Sequence, residues 1–502
     1  MKNSSLKVVA TLVSTLLLGS VAHAYEQDMN FGTAGFAYAE TENSSIPHAM
    51  ALTNEGRLIT VGRSIVDNKS GNFALNITDS EGNNVITTET EITTKRDVAH
   101  KVISLANGNI LVLGEANAHA AGALYDSEGN FLGSYTSPEN HSFFRDAVEQ
   151  ADGKVVVVGY QRFDGVPGFA VIATRFNTDY SVDTSYGDNG VFKDPFHNVD
   201  SNYNSVAYAV DMQSDGKVVL GAHVYHLNGT ADDFEDYSVL VRLTTDGQID
   251  TTFGTSSASP LLAVTNFVIR DLKINSEDKI FAVGKSTTAA RAIKALADGS
   301  MLDNTFCGNG ISDVETTDGA EGFMAMALEN DNAVLATGYA SNTTVDLLLA
   351  NFDSEGNPGH YFGTDTGYLV VDYGATDYGR DLVQNDAGEL FVAANIAHDD
   401  YTKDITLIKF IASVDDSECT GGHHGFFHMH SCMCHMHTCM MKIHQGLHAF
   451  KASASRHHMD YTFNEELNCK TVDTDLDMYE HHTPFIEVIL KPVRKFFSFF
   501  GW

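Results

Sequence analysis

The sequence predicts an all-β chain folded as a seven-bladed β-propeller, and three observations carry that expectation. A turn followed by a short apolar strand recurs seven times. An ending with an acid, an aromatic residue and glycine closes several of these units. The same ending stands alone before the first unit, and the seventh unit lacks it.

The chain opens with Lys2 and Lys7 around an apolar run from Val8 to Leu18 and a small-residue end at Ala22-His23-Ala24, the pattern of a secretory signal cut after Ala24. Residues 1–24 are therefore set apart from the fold. The run is too short to span a bilayer, and no later segment approaches the roughly 20 apolar residues that a membrane helix needs.

The repeated turn and strand are plainest at Asp152-Gly153-Lys154-Val155-Val156-Val157-Val158-Gly159. Other copies run from Asn54 to Gly62, Ala106 to Gly114, Asp215 to Gly221, Glu277 to Gly284, Asn330 to Gly338 and Asp386 to Ala394. A second apolar segment follows each, as in Phe169–Arg175, Tyr237–Leu243 and Leu347–Phe352. Length, β-branched content and bounding turns mark these segments as strands. The endings are Asp183-Thr184-Ser185-Tyr186-Gly187, Asp250-Thr251-Thr252-Phe253-Gly254 and Asp303-Asn304-Thr305-Phe306, with Tyr361-Phe362-Gly363 a looser version. An aromatic there can plug the space between units while glycine lets the chain reverse.

Short strands repeated at this interval fit radial blades better than a solenoid or a sandwich. A ring also removes exposed sheet edges, provided that it closes. Asp28-Met29-Asn30-Phe31-Gly32 is an ending with no unit before it, so the N-terminal strand is expected to complete the last blade.

The Asp-Gly-Lys-Val-Val-Val-Val-Gly stretch, Arg175 and Arg242 closing the next strands, and the Asp-x-x-Phe/Tyr-Gly endings resemble the delta-60 repeat of bacterial propeller proteins. The resemblance covers about residues 25–413, and it implies a β-propeller but no particular reaction. The first two units lack the Phe-Gly ending, which leaves six or eight blades compatible with the pattern.

Removing residues 1–24 takes away two lysines and no acids, so the formal charge goes from −35 to −37, with 29 basic against 66 acidic residues. Such a surface repels phosphate backbones, which excludes nucleic acid as a partner. There is no G-x-S-x-G elbow, H-E-x-x-H, Walker loop or complete calcium loop. The acids at Asp232–Asp236 and at Asp399-Asp400 read as solvated loop charges. His100, His119, His141, His197, His223 and His226 read as loop or hydrogen-bonded structural residues, and Cys307 as a lone buried thiol.

After residue 413 the repeat stops, and residues 414–422 read as a linker. Residues 423–484 form a His/Met/Cys-rich segment. Its candidate metal ligands are His423, His424, His428, Met429, His430, Cys432, Met433, Cys434, His435, Met436, His437, Cys439, Met440, Met441, His444 and His448. Twelve of the fourteen residues from His428 to Met441 are potential donors, so almost any backbone conformation clusters them. Thiolate, thioether and imidazole together favour copper, above all Cu(I). Zinc through Cys432, Cys434, Cys439 and nearby imidazoles is the alternative. Haem attachment is disfavoured, because Cys432 and Cys434 are separated by one residue where C-x-x-C-H needs two. Residues 485–502 are apolar and basic, and suit a protein partner, a membrane surface or packing back onto the propeller.

The sequence thus points to an exported, non-enzymatic propeller that acts as a binding or scaffold protein, with a C-terminal segment that chelates a soft metal. Two other classes stay open: a surface structural or adhesive protein with a disulfide-bonded tail, and an enzyme with its site in the propeller channel.

Overall fold

A computed structural model describes residues 25–412 apart from 39–44, 66–70, 164–167, 195–202, 227–236, 317–319, 342–343, 360, 363–365, 375 and 398–402. Two compact units divide the chain at Val414/Asp415, and the second lies wholly outside the described residues. The first is a propeller of seven antiparallel sheets, and the described residues hold no helix.

The seven inner strands are Ser45–Leu52, Asp97–Ser104, Ser142–Glu149, Tyr203–Met212, Val268–Ile274, Glu321–Glu329 and Asp377–Gln384. Each opens a blade, blades 1 to 7, whose remaining strands follow outward in chain order. Blade 7 is the exception. Its last strand from the C-terminal side, Lys403–Ala412, pairs with Tyr25–Gln27 and with Phe36–Tyr38. The register Tyr25↔Ala412 and Phe36↔Ile408 closes the ring with the N-terminal segment, as the orphan ending implied.

The core is divided among the seams. One apolar cluster bridges each adjacent pair of blades, from Ile59 and Val61 against Val102 and Val112 at the first seam to Phe31 and Met50 against Phe391 and Ala393 at the last. Apolar burial at about 25 cal/mol per Å² is thus spread over seven interfaces rather than gathered in one centre.

The repeat residues divide the work at those seams. Phe31, Tyr186, Phe253, Phe306 and Phe362 are all at most 1% exposed. The ring of Phe253 lies where a Cβ on Gly299 of the next blade would stand, 2.2 Å from Cζ, so only glycine fits there. Arg242 stacks 4.9 Å above the same ring and donates from Nε to Asp250 at 2.9 Å. Arg175 repeats this over Tyr186 with Asp183. The lysine of the Asp-Gly-Lys turn completes each cluster: Lys154 reaches Asp183 at 2.7 Å, Lys217 reaches Asp250 at 3.0 Å and Lys279 reaches Asp303 at 3.0 Å. At the latch Lys409 takes the place of Arg175 and Arg242, 3.7 Å from Asp28, and Glu389 stands where the turn lysine would be, 2.7 Å from Lys409.

The two units without a Phe-Gly ending fill the space differently. At the seam of blades 1 and 2, Ile86 packs against Gly129. At the next seam, the turn of blade 3 carries Tyr180 at φ 64° where its counterparts have glycine, and Tyr180 packs with Tyr135 into the seam. At the first of these seams the same blade supplies the bulk through Ile86, and at the second the neighbouring blade contributes through Tyr180.

Cys307 departs from the expectation of a buried thiol. It is exposed and free, and occupies the place of Gly187 and Gly254 at φ 49°, its N–H bonded to the Glu355 carbonyl. A non-glycine residue is strained there. Cys307→Gly is expected to stabilise the fold by about 0.5–1 kcal/mol, read as a higher denaturant midpoint at unchanged slope.

Candidate functional site

The strand glycine of the repeat leads to the site. An added Cβ on Gly62, Gly114 or Gly159 would stand 1.9 Å from the carbonyl oxygen of Ile46, Val98 or Phe143 on the inner strand. That carbonyl is pushed across because every inner strand carries a bulge just after it. The register shifts at Pro47/Ala49, Ala99/Lys101, Phe144/Asp146, Ala207/Ala209, Ile269/Asp271, Phe323/Ala325 and Gly379/Asp381. In blade 7 the glycine has changed strands, with Gly379 facing Ala394.

A bulge re-aims the side chain it inserts. The seven inserted residues, His48, His100, Arg145, Tyr208, Arg270, Met324 and Arg380, are all half-buried and form one level of the inner ring. Aromatic rings hold the three guanidinium groups. Arg145 lies 5.3 Å over Tyr160 and donates to its phenol oxygen at 2.8 Å. Arg270 lies 4.6 Å over Tyr208, and Arg380 4.8 Å over Tyr378, which in turn meets Tyr339 of blade 6 at 5.5 Å. The imidazoles of His48 and His100 stack at 5.2 Å, and Nδ1 of His48 donates to the Ala99 carbonyl at 2.8 Å.

The residue after each bulge forms a second level. In blades 3, 5 and 7 it is Asp146, Asp271 or Asp381. One carboxylate oxygen of each accepts from the next N–H of its own strand, and the other accepts at 2.8 Å from Val210, Met326 or Met50 of the following blade. Lys101 of blade 2 donates to Asp146 at 2.9 Å. Burial works against its charge, but Asp146, Asp271 and Asp381 raise its pKa well above the usual lysine range. Lys273 is likewise held charged by Asp271. This second level is a clamp between blades.

The two levels titrate in opposite senses. Burial pushes Asp381 up to about 6, with Asp271 adding to the shift and Lys101 opposing it. A raised carboxyl favours the protonated form, so its contribution is fully present below its ordinary value and lost as pH rises through 6. Burial pushes His48 down to about 4, against the Ala99 carbonyl and with Arg380 and Arg145 adding to it. That contribution is present above pH 6.5 and lost as pH falls toward 4. In Asp381→Asn the fall in thermal midpoint that this carboxyl causes as pH rises from about 4 to 6 should therefore disappear. In His48→Gln the loss on acidification should shrink. Unchanged profiles in both variants would refute the assignment.

Other polar side chains among the described residues bond to the backbone or to neighbouring rings. Asp346, Asp372 and Asp377 bring carboxylate oxygens within 4.8 Å of one another. Asp377 accepts from the Tyr373 N–H at 2.8 Å, the same loop-capping use that Asp97 makes of Ile92 and Thr93. His119 bonds the Ser137 carbonyl, and His226 meets Tyr203 edge-on at 4.0 Å. His141 sits in a turn at φ 55°. The loop acids 232–236 and 399–400, His197 and every candidate ligand from His423 to His448 lie outside the described residues.

Sequence reasoning passed over the ring. Its signal was present: Arg145-Asp146, Arg270-Asp271 and Arg380-Asp381 each end seven residues before the left-handed turn residue Gly153, Asp278 or Gly388.

Fold and ring together define a closed seven-bladed propeller with a charged, aromatic-lined inner ring. A family described as "Domain of unknown function (DUF5122) beta-propeller" matches residues 150–186 and 213–253, within blades 3 and 4. No curated protein sequence matches the chain. Among solved structures, the periplasmic gluconolactonase of Pseudomonas aeruginosa is similar at 11% identity and a TM-score of 0.42, over 71% of this chain and 96% of that one. The β-propeller domain of the trilobed protease of Pyrococcus furiosus is similar at 12% identity and a TM-score of 0.43, over 74% of this chain and 97% of that one. The extracellular domain of a hybrid two-component system from B. thetaiotaomicron is similar at 11% identity and a TM-score of 0.39. This chain spans 40% of its length. Values this low bear on neither activity nor ligand.

Proposed function

We propose that the protein is an exported, non-enzymatic propeller that serves as a binding platform, and that its C-terminal segment captures a soft metal ion, copper before zinc. The observation that carries this reading is the run from His428 to Met441, in which twelve of fourteen residues are metal donors. Met among the donors favours Cu(I), since thioether is not a usual zinc ligand. Capture is by chelation. Deprotonated Cys432, Cys434 and Cys439 and neutral imidazoles bind the ion and release protons, so affinity falls as pH is lowered. The leader-like residues 1–24 support export. The carboxylates of the inner ring bond to backbone N–H groups across the seams, which supports a structural use for them rather than acid–base work.

Elemental analysis of anaerobically purified protein tests the reading, with the full chain beside one ending at Ser417. Copper in the first and not the second is the expected result. Equal metal content in both overturns it. Absence of metal from both, with the tail cysteines titrating as disulfides, would favour the adhesive or scaffold alternative.

A further inference from the structure

We propose that the level of the inner strands that carries Arg145, Arg270 and Arg380 binds a small polycarboxylate. The inference extends the binding-platform reading by naming a ligand class for the propeller itself.

Three features of the ring support it. The first is placement. The arginines come from equivalent positions in blades 3, 5 and 7, separated by two, two and three blades, so they stand at near-even intervals around the ring of blades. Single anions are served by clustered donors. Three separated guanidinium groups suit a ligand whose negative groups are also separated. Each fork matches a carboxylate with two parallel hydrogen bonds.

The second feature is that the arginines have no acidic partner among the described residues. With the described residues, none of the three forms an ion pair, although Arg175, Arg242 and Arg291 all do. Nε of Arg145, Nε of Arg380 and Nε2 of His100 are shielded from solvent without a hydrogen-bond partner among the described residues. A buried donor left unmet costs about 1–3 kcal/mol, so the two guanidinium Nε–H groups at one level call for an explanation. Acceptors supplied by a ligand provide one.

The third feature is preorganisation. Tyr160, Tyr208 and Tyr378 fix the guanidinium planes from the side, which lowers the ordering cost of binding. The acids nearby are spoken for. Glu115 lies 3.7 Å from Arg96, and Asp146, Asp271 and Asp381 accept backbone N–H groups and face Lys101 and Lys273. His48 and His100 are neutral near pH 7 and add stacked faces rather than charge. In a chain of net charge −35, this level carries three guanidinium groups, and salt at physiological strength screens exposed charges more than about 8 Å away.

Isothermal titration of the full chain with propane-1,2,3-tricarboxylate tests the proposal, with acetate and inorganic phosphate as comparison anions. The expected result is binding that weakens with added salt, falls about tenfold in each of Arg145→Gln, Arg270→Gln and Arg380→Gln, and disappears in the triple variant. Arg→Lys at the same positions should give an intermediate loss, which separates recognition from misfolding. Arg57→Gln, at the opposite end of the blade 1 inner strand, should leave binding unchanged. Absence of tricarboxylate binding, equal binding by the folded triple variant, or phosphate bound as tightly as tricarboxylate would each overturn the proposal. The tail is intact in every variant, so metal content measured on the same samples reports on the metal-capture reading separately.

Discussion

Removal of residues 25–38 is expected to make the propeller aggregate. The segment supplies the outer strands of blade 7, the buried rings of Tyr25 and Phe31 and the acid that faces Lys409. Tyr25 donates its hydroxyl to the Gly388 carbonyl at 2.7 Å and accepts from Gln384 at 2.8 Å, and the Gly32 N–H bonds the Glu81 carbonyl of blade 1. Without it, Lys403–Ala412 becomes a ten-residue edge with Ile405, Leu407, Ile408 and Phe410 uncovered on one side. Long apolar edges recruit other chains. Size-exclusion chromatography with light scattering reads the effect. A truncated chain that stays monomeric and melts with the intact protein would show that the ring does not depend on its latch.

Phe253→Ala should destabilise the propeller by about 3–5 kcal/mol, the range for a fully buried aromatic. The ring is 0% exposed between blades 4 and 5, and Arg242 stacks on it while Gly299 has no side chain with which to fill the gap. Collapse around the cavity is therefore restricted from both sides. Phe253→Tyr keeps the ring volume but adds a buried hydroxyl, so it should fall between. Urea titration reads both variants. A cost below about 1 kcal/mol for the alanine variant would mean that the seam repacks and that the repeat aromatic is not a wedge.

The blade count and the ring closure were legible because the repeat writes each of its jobs in residue type. Asp-Gly-Lys marks a turn whose lysine returns to the next acid, as Lys217 does to Asp250. The orphan Asp28-Met29-Asn30-Phe31-Gly32 could only complete a blade that lacked it. The inner ring was harder to see, because its residues share a position rather than a chemistry: His48, Tyr208, Met324 and Arg380 have nothing in common except the bulge. A bulge shows in sequence only through the glycine opposite it. Cys307 was misplaced for a related reason, since its turn position with positive φ is exposed.

The strand from Lys403 to Ala412 is hydrogen-bonded on both flanks, to Leu390–Ala397 on one side and to Tyr25–Gln27 and Phe36–Tyr38 on the other. The covalent link from the propeller to everything after residue 412 passes through it. A load drawn along that link meets two ladders in shear, which must yield together, rather than one ladder peeled bond by bond. Whatever the C-terminal segment grips, tension on the tail is borne first by the strand that closes the ring, through both of its ladders at once.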